Sequence, residues 1–340
     1  METKLFRSTT EDIREAGKII REGGLIAFPT ETVYGLGADA LNADAVAKVY
    51  AAKGRPSDNP MIVHIAEEEQ LSDLALEITE DMLVLMKAFW PGPMTMVVKR
   101  KDIVPNVTTG GLDTVGVRMP LNEVARELIR LSARPIAAPS ANLSGKPSPT
   151  TYKHCVDDLT GRVDGIIMGE DCSFGIESTV VDMTGQVPMI LRPGMITKED
   201  MEGALGKEVL LDPTLYEKPD IFNNEGSLLQ TKDDFKPKSP GMKYKHYAPQ
   251  GEMVIFQGEA AKVKAAIEEA KAQAEAEGKK VGVIIYEDEA FAAHDFFAKL
   301  RAFDNEGVDL ILASALDEEG VGFSVMNRMQ KSAGYNIRKV

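Results

Sequence analysis

The alternation of strand and helix signals in this chain breaks off once, between residues 212 and 250, and then resumes. The interruption carries prolines at 213, 219, 237, 240 and 249 and few periodic apolar positions. A doubly wound sheet needs each strand to feed a crossover helix. A gap of this length therefore divides the chain into two folding units joined by a linker or a functional loop. The expected division is a first unit over residues 1–211, a linker over 212–250 and a smaller second unit over 251–340. Fully extended, the stretch after Pro219 spans ~100 Å. A domain of about 210 residues has a radius of gyration of only ~17 Å. The linker is thus long enough to cross the first unit and cover a cleft on it.

In the first unit Thr10 reads as an N-cap, with Ile13, Ala16, Ile19 and Ile20 at helical spacing and Gly23-Gly24 as the stop. Leu25–Phe28 is a short buried strand. A helix runs from an Asn42 cap to Lys53, ended by Gly54. Met61–Ile65 reads as a strand, and a helix over about 79–90 is halted by Pro91-Gly92-Pro93. Strands at Thr95–Val98, Val115–Arg118 and Ile136–Ala138 follow, with a helix at about 122–131. The pattern is α/β, and its hairpin-like pieces call for a twisted, mixed sheet. In the second unit strands at Met253–Phe256, Val281–Tyr286 and Leu310–Ala313 alternate with helices over 259–277, 287–301 and 322–333. That order predicts a parallel, doubly wound, Rossmann-like sheet.

Several function classes drop out. No run of ~18 apolar residues is present to span a bilayer, and the N-terminus has no signal-peptide core. Two cysteines, Cys155 and Cys172, do not make a disulfide framework, so a reducing cytoplasm is expected. Neither they nor the four histidines (His64, His154, His246, His294) show metal-ligand spacing, so no protein-bound metal is expected. The net charge is −14. Residues 251–340 hold 11 basic and 16 acidic side chains, net −5, which leaves −9 for residues 1–250. Neither unit is a basic module, which argues against broad affinity for a nucleic-acid backbone.

Gly35-Leu36-Gly37-Ala38-Asp39-Ala40 satisfies the loose G-x-G-x-x-A dinucleotide fingerprint. No helix opens directly after these glycines, so we read them as turn glycines and assign no NAD site. A P-loop signature is absent as well. Three loops are more informative. Pro29–Gly37 sits after a buried strand, where open α/β sheets bind ligands. Lys53–Pro60 carries two cations two residues apart in a Gly/Pro loop, suited to a polyanion, or simply complementing a helix C-terminus. Pro139–Thr150 offers three serines, an amide and a threonine, or is a plain solvated loop.

Taken together, the loops resemble the YrdC/Sua5 family. The pattern Lys53-x-Arg55 … Ser140-x-Asn142 is similar to its signature, and Pro29–Leu36 to its opening loop. Gly175–Asp182 and Leu191–Gly194 resemble its later strands. Ser239–Pro249 and Gly322–Met329 resemble the linker and chain end of the two-domain Sua5 form. The resemblance implies a YrdC-like catalytic domain followed by a Sua5 domain. It also implies an L-threonylcarbamoyladenylate synthase, a nucleotidyltransferase that joins L-threonine, bicarbonate or CO2, and ATP, and releases pyrophosphate. That is the first step of N6-threonylcarbamoyladenosine formation at tRNA position 37. Magnesium is expected with the nucleotide. A separate transferase complex would consume the product, so no stable tRNA binding is expected.

Site residues follow from the same resemblance. Lys53 and Arg55 would face the phosphates and the carbamate. Arg55, Asn59, Thr114, Ser140, Asn142, Ser148 and Arg192 would hold ATP, with Tyr244, His246 and Tyr247 closing over it. Thr32, His64, Arg118, the backbone at Ala138, and Ser178 would hold threonine. Each has a plain alternative: His64 as a satisfied core histidine, Arg118 as a strand-end surface residue, the linker tyrosines as inter-domain packing. An RNA-binding module and a carbamoyl-transfer enzyme of the same fold are the rival readings, and an ATP or amino-acid sensor is a third.

Overall fold

The computed structural model describes residues 2–216, 237 and 247–340. Tyr244 and His246, and most of the 212–250 stretch, lie outside the described residues.

The first body is built on one mixed sheet of eleven strands among the described residues. Their spatial order is Lys4–Arg7, Gly165–Met168, Ile26–Phe28, Gly35–Asp39, Ile136–Ala137, Ile62–His64, Thr114–Arg118, Met94–Lys99, Thr179–Asp182, Met189–Arg192 and Leu210–Leu211. Parallel and antiparallel pairs are mixed, as the hairpin-like pieces implied: Ile62–His64 is parallel to Thr114–Arg118 and antiparallel to Ile136–Ala137. The central strands are buried along their length, so they read as apolar runs rather than as alternating patterns.

Local signals place most helices. Asn42 caps the helix Ala43–Lys53 by accepting from the Asp44 and Ala45 amides, and Gly54 ends it in the left-handed region at φ 64°. Thr79 caps Glu80–Phe89 in the same way through the Met82 amide. The first helix corrects one expectation. It is Thr10–Arg21, and Thr9 is its cap, accepting from the Asp12 amide. Thr10 is thus the first helical residue, one position inside the cap.

A second correction concerns Gly35 and Gly37. They form no turn but lie in the strand Gly35–Asp39, paired antiparallel with Ile26–Phe28. The reason is close approach. A Cβ on Gly37 would sit 2.7 Å from Ile136 Cγ2 and 2.8 Å from the Phe28 ring. A larger residue would push the strand off its neighbours.

The second body is a four-stranded, all-parallel sheet in the order Val281–Ile284, Leu310–Ser314, Glu252–Gln257, Ile337–Lys339. Helices cover both faces, the doubly wound arrangement. Val254, Phe256 and Leu312 pack with Val263 and Ile267 of the helix Ala260–Ala276. Met253, Ile255 and Ile311 face Phe296, Phe297 and Leu300 of Glu289–Glu306, and Val325 and Met329 of Gly320–Ser332. The helix expected over 287–301 thus runs on to Glu306, where Gly307 ends it at φ 66°. The last strand, Ile337–Lys339, had no sequence signal: it is three residues long and two of them are exposed.

The bodies are packed together. Val33 and Ile176 of the first belong to the apolar cluster of the second. Gly175, at φ 78°, lies where a Cβ would come within 2.4 Å of the His294 carbonyl.

Candidate active site

The pocket lies where the central strands end and three loops meet, beside the second body. It is lined from the Thr30–Gly35 loop, from Lys53 and Arg55 at the end of the capped helix, from Ile62, His64 and Arg118, from the Ala138–Gly145 stretch, and from Glu177, Ser178, Arg192 and Tyr247. Of the threonine set, Thr32, His64, Arg118, Ala138 and Ser178 all line it. Lys53 and Arg55, expected at the phosphates and the carbamate, line it too, and so do Ser140, Asn142, Arg192 and Tyr247 of the ATP set.

Asn59, Thr114 and Ser148 are not brought to the wall. Asn59 is buried behind Arg55, its carbonyl accepting from Tyr50 Oη at 3.0 Å and from Arg55 Nη2 at 3.4 Å. Its Oδ1 has no hydrogen-bond partner among the described residues. Thr114 opens a strand and pairs with Lys99. Ser148 lies one layer back and donates to Glu177 Oε1 at 2.6 Å.

The Lys53 ammonium is engaged within the protein. Lys53 is 3% exposed, and its Nζ donates to the Ser140 and Asn142 carbonyls. Ser140 Oγ donates in turn to Asn142 Oδ1 at 2.5 Å, and Asn142 Nδ2 to the Leu143 and Lys146 carbonyls. The loop has little strand or helix pairing of its own, so these side chains satisfy its backbone. Burial, then the Arg55 charge, push the lysine well below its usual range. Arg55 also closes on its own loop, donating through Nη2 to the Pro60 carbonyl at 3.1 Å.

The opposite wall is organised by Arg118. It donates to Glu31 Oε1 at 2.6 Å, to Thr32 Oγ1 at 2.9 Å and to the Gly92 carbonyl at 3.2 Å. Thr30 and Thr32 share a hydrogen bond of 2.8 Å, as do Thr95 and Ser178. His64 is 4% exposed, and burial followed by Arg118 drives it down to about 3, so it is neutral near pH 7. Its Nδ1 has no hydrogen-bond partner among the described residues. Arg192 donates through Nε and Nη2 to the Ser178 carbonyl and through Nη2 to Ser178 Oγ at 3.2 Å. Burial lowers it to about 10.

Glu177 is the side chain that sequence reasoning quoted but gave no role. Beside Ser148, it accepts from Arg328 Nε at 3.2 Å and hydrogen-bonds the Tyr247 side chain. Burial pushes its carboxyl up, but Arg328 and Arg192 outweigh that and hold it below the ordinary range. Its one signal was a carboxylate between a glycine and two hydroxyls, Gly175-Ile176-Glu177-Ser178-Thr179. Among the described residues, no group of three or more His, Cys, Asp or Glu is placed to hold a metal ion. Both Glu177 oxygens are already bonded within the protein.

Comparison with known proteins accounts for this arrangement. The family described as Telomere recombination, which groups Sua5, YciO and YrdC proteins, matches residues 18–194. The chain belongs to the Sua5/YciO/YrdC family. It is a two-domain Sua5-type member, because residues 196–334 match a second family, described as Threonylcarbamoyl-AMP synthase, C-terminal domain. The Threonylcarbamoyl-AMP synthase of Pyrococcus abyssi is 50% identical, over 96% of this chain and 96% of its own. That of Bacillus subtilis is 44% identical, over 96% of this chain and 94% of its own. The crystal structure of P. abyssi Sua5 complexed with L-threonine superimposes with a TM-score of 0.91 at 47% identity, covering 100% of both chains. A shorter relative, the Threonylcarbamoyl-AMP synthase of Pseudomonas putida, matches 54% of this chain across 97% of its own length at 36% identity. The Sua5 fold therefore accounts for both bodies.

Proposed function

We propose that this chain is an L-threonylcarbamoyladenylate synthase. The observation that carries the reading is convergence: the lysine–arginine loop, the serine–asparagine loop, the threonine loop, Arg118 and Arg192 line one pocket in a chain of this family. The enzyme would be a nucleotidyltransferase. Threonine's amine adds to CO2, forming a C–N bond and giving up one proton, and the carbamate oxygen attacks the α-phosphorus of ATP. The α–β phosphoanhydride bond breaks and pyrophosphate leaves. Bicarbonate would serve by taking up one proton and losing water to give CO2 before that addition. No covalent enzyme intermediate is needed, so positioning and charge neutralisation carry the catalysis.

In this reading Arg118 takes the threonine carboxylate, backed by Thr32, and Ser178, His64 and Ala138 complete that end. A neutral His64 with an open Nδ1 suits a hydrogen bond to the threonine hydroxyl. Arg55, Ser140, Asn142 and Arg192 take the nucleotide, with Tyr247 closing the pocket. Tyr244 and His246 are assigned to the same closure, and Asn59, Thr114 and Ser148 to support of the nucleotide end. Lys53 acts beside Arg55 while holding the loop that carries Ser140 and Asn142. Magnesium would come with the ATP phosphates.

We keep residues 1–211, 212–250 and 251–340 as catalytic domain, linker and Sua5 domain. A cytoplasmic location and hand-over of the product to a threonylcarbamoyl-transferase complex acting on tRNA complete the proposal. Among the described residues no helix is long and apolar enough to cross a membrane.

The test is pyrophosphate release from ATP, with L-threonine and bicarbonate each present or omitted. Release that needs all three, and falls with serine or valine in place of threonine, is the expected result. Turnover indifferent to threonine would overturn the reading and bring carbamoyl transfer forward.

A further inference from the structure

Two arginines of the second domain are buried in the contact with the first. Arg301, 7% exposed, donates through Nε and Nη2 to the Pro147 carbonyl at 3.1 and 2.7 Å, and through Nη2 to Asp158 Oδ2 at 2.7 Å. The same Asp158 accepts from the Leu143 amide at 3.2 Å and from Lys146 at 3.0 Å. Arg301 therefore grips, from outside, the loop that Lys53 grips from inside. Arg328, 0% exposed, bonds Glu177 through Nε and the Pro193 carbonyl through Nη1. Glu177 in turn fixes Ser148, and Pro193 follows the pocket residue Arg192.

Stability alone does not account for these contacts. Burying a guanidinium carries a large desolvation cost, and well-packed apolar residues often do as well or better. The domains already share an apolar seam through Val33, Ile176, Tyr247 and Phe297. What the arginines add is direction. Arg301 bonds the Pro147 carbonyl and Asp158, which itself holds Leu143 and Lys146 of the same loop, and Arg328 bonds the Glu177 carboxylate and the Pro193 carbonyl beside the pocket residues Ser178 and Arg192.

We infer that the C-terminal domain completes the active site through Arg301 and Arg328, positioning residues that hold the Leu143–Ser148 loop and the Glu177–Ser148 pair in their ATP-binding arrangement. The inference deepens the synthase reading and rests on it for its kinetic arm. A shorter relative spans only 54% of this chain across 97% of its own length, so the family fold does not always include this domain.

The test uses the full-length chain with Arg301→Gln and Arg328→Gln, each beside its Arg→Lys counterpart. Steady-state pyrophosphate release gives KM for ATP and for threonine. Hydrogen exchange is followed on the backbone amides of 141–149. The expected result for Arg301→Gln is about a tenfold rise in KM for ATP with the threonine KM within roughly threefold, and exchange in the loop faster by about tenfold or more. Arg328→Gln raises KM for ATP in the same way. Ser148→Ala then costs less in that background than in the wild type, because both act through Glu177. The lysine variants keep the charge but lose the fork, so they fall between.

Folded variants with ATP KM and loop exchange unchanged, or a strictly additive Ser148→Ala effect, would overturn the inference. Should the glutamine variants fail to fold, the lysine variants and Glu177→Gln decide it by the same readouts. A wild type without threonine-dependent release would sink the synthase reading instead, and loop exchange would still decide whether the arginines hold the loop.

Discussion

Arg118 Nη2 lies 2.6 Å from Glu31 Oε1, and each side chain keeps only 4% of its surface exposed. Arg118 reaches the pocket from the end of a central strand, and Glu31 approaches it from the loop after a strand elsewhere in the sheet. The pair fixes the guanidinium plane against Thr32 while leaving the arginine in the pocket wall. Removing either charge strands the other. Arg118→Met is expected to cost about 3–5 kcal/mol of folding stability, measured by denaturant unfolding. Arg118→Lys keeps the charge but loses the fork. It is expected to raise KM for threonine about tenfold or more while KM for ATP stays put. Equal rises in both would move Arg118 out of the threonine end.

Lys53 joins two parts of the site, so its loss should exceed that of one phosphate contact. Lys53→Met leaves the Ser140 and Asn142 carbonyls without their donor. A fall in kcat/KM for ATP of about a hundredfold or more is expected, read by pyrophosphate release. Lys53→Arg should not rescue it, because a planar fork does not reproduce the single Nζ that serves both carbonyls. A fully active arginine variant would show that charge alone is required.

His64 makes the folded state sensitive to acid. Its value drops from 6.5 in the unfolded chain to about 3 in the fold, mainly through burial and then through Arg118. Between those limits the unfolded chain carries the extra proton. The stabilising contribution is therefore complete above pH 6.5 and is lost as pH falls towards 3. The steepest loss is about 1.4 kcal/mol per pH unit for one proton. Urea unfolding of the wild type and of His64→Asn across this range should give curves that converge on acidification. Parallel curves would mean that the His64 proton is not linked to folding. His154, lowered to about 4 chiefly by burial, titrates in the same window in both proteins and cancels in the difference.

Gly175 combines a left-handed backbone with a tight domain contact. At φ 78° a side chain is strained, and its Cβ would stand 2.4 Å from the His294 carbonyl. Gly175→Ala is expected to lower Tm by several degrees, since ~1–2 kcal/mol comes from the backbone alone. Amide exchange in the helix Glu289–Glu306 should also rise as the second domain is pushed outward. An unchanged Tm by calorimetry would show that the seam yields freely there.

Much of the architecture was legible because its signals are local. The Asn42 cap and the Gly54 stop act within a turn of the residues they control, and both are found where read. The parallel second sheet followed from strand–helix alternation alone. Errors came where a local motif had a distant cause. Gly35 and Gly37 look like turn glycines, yet both lie within a strand against the Phe28 ring, and Ile136 leaves Gly37 no room for a side chain. Thr9 and Thr10 are chemically equivalent caps, and only the helix's register chose between them.

By itself the sequence determined two α/β units, their strand and helix order, the resemblance of its loops to one family and the pool of polar residues from which a site could be made. Periodicity, capping and loop chemistry act over a few residues, so one dimension records them. Only the tertiary structure decided which members of that pool meet. Lys53 reaches carbonyls 87 and 89 positions away, and Arg328 reaches Glu177 across 151. Such contacts form because the sheet order juxtaposes strands far apart in sequence, and because buried charges must find partners wherever the packing leaves them.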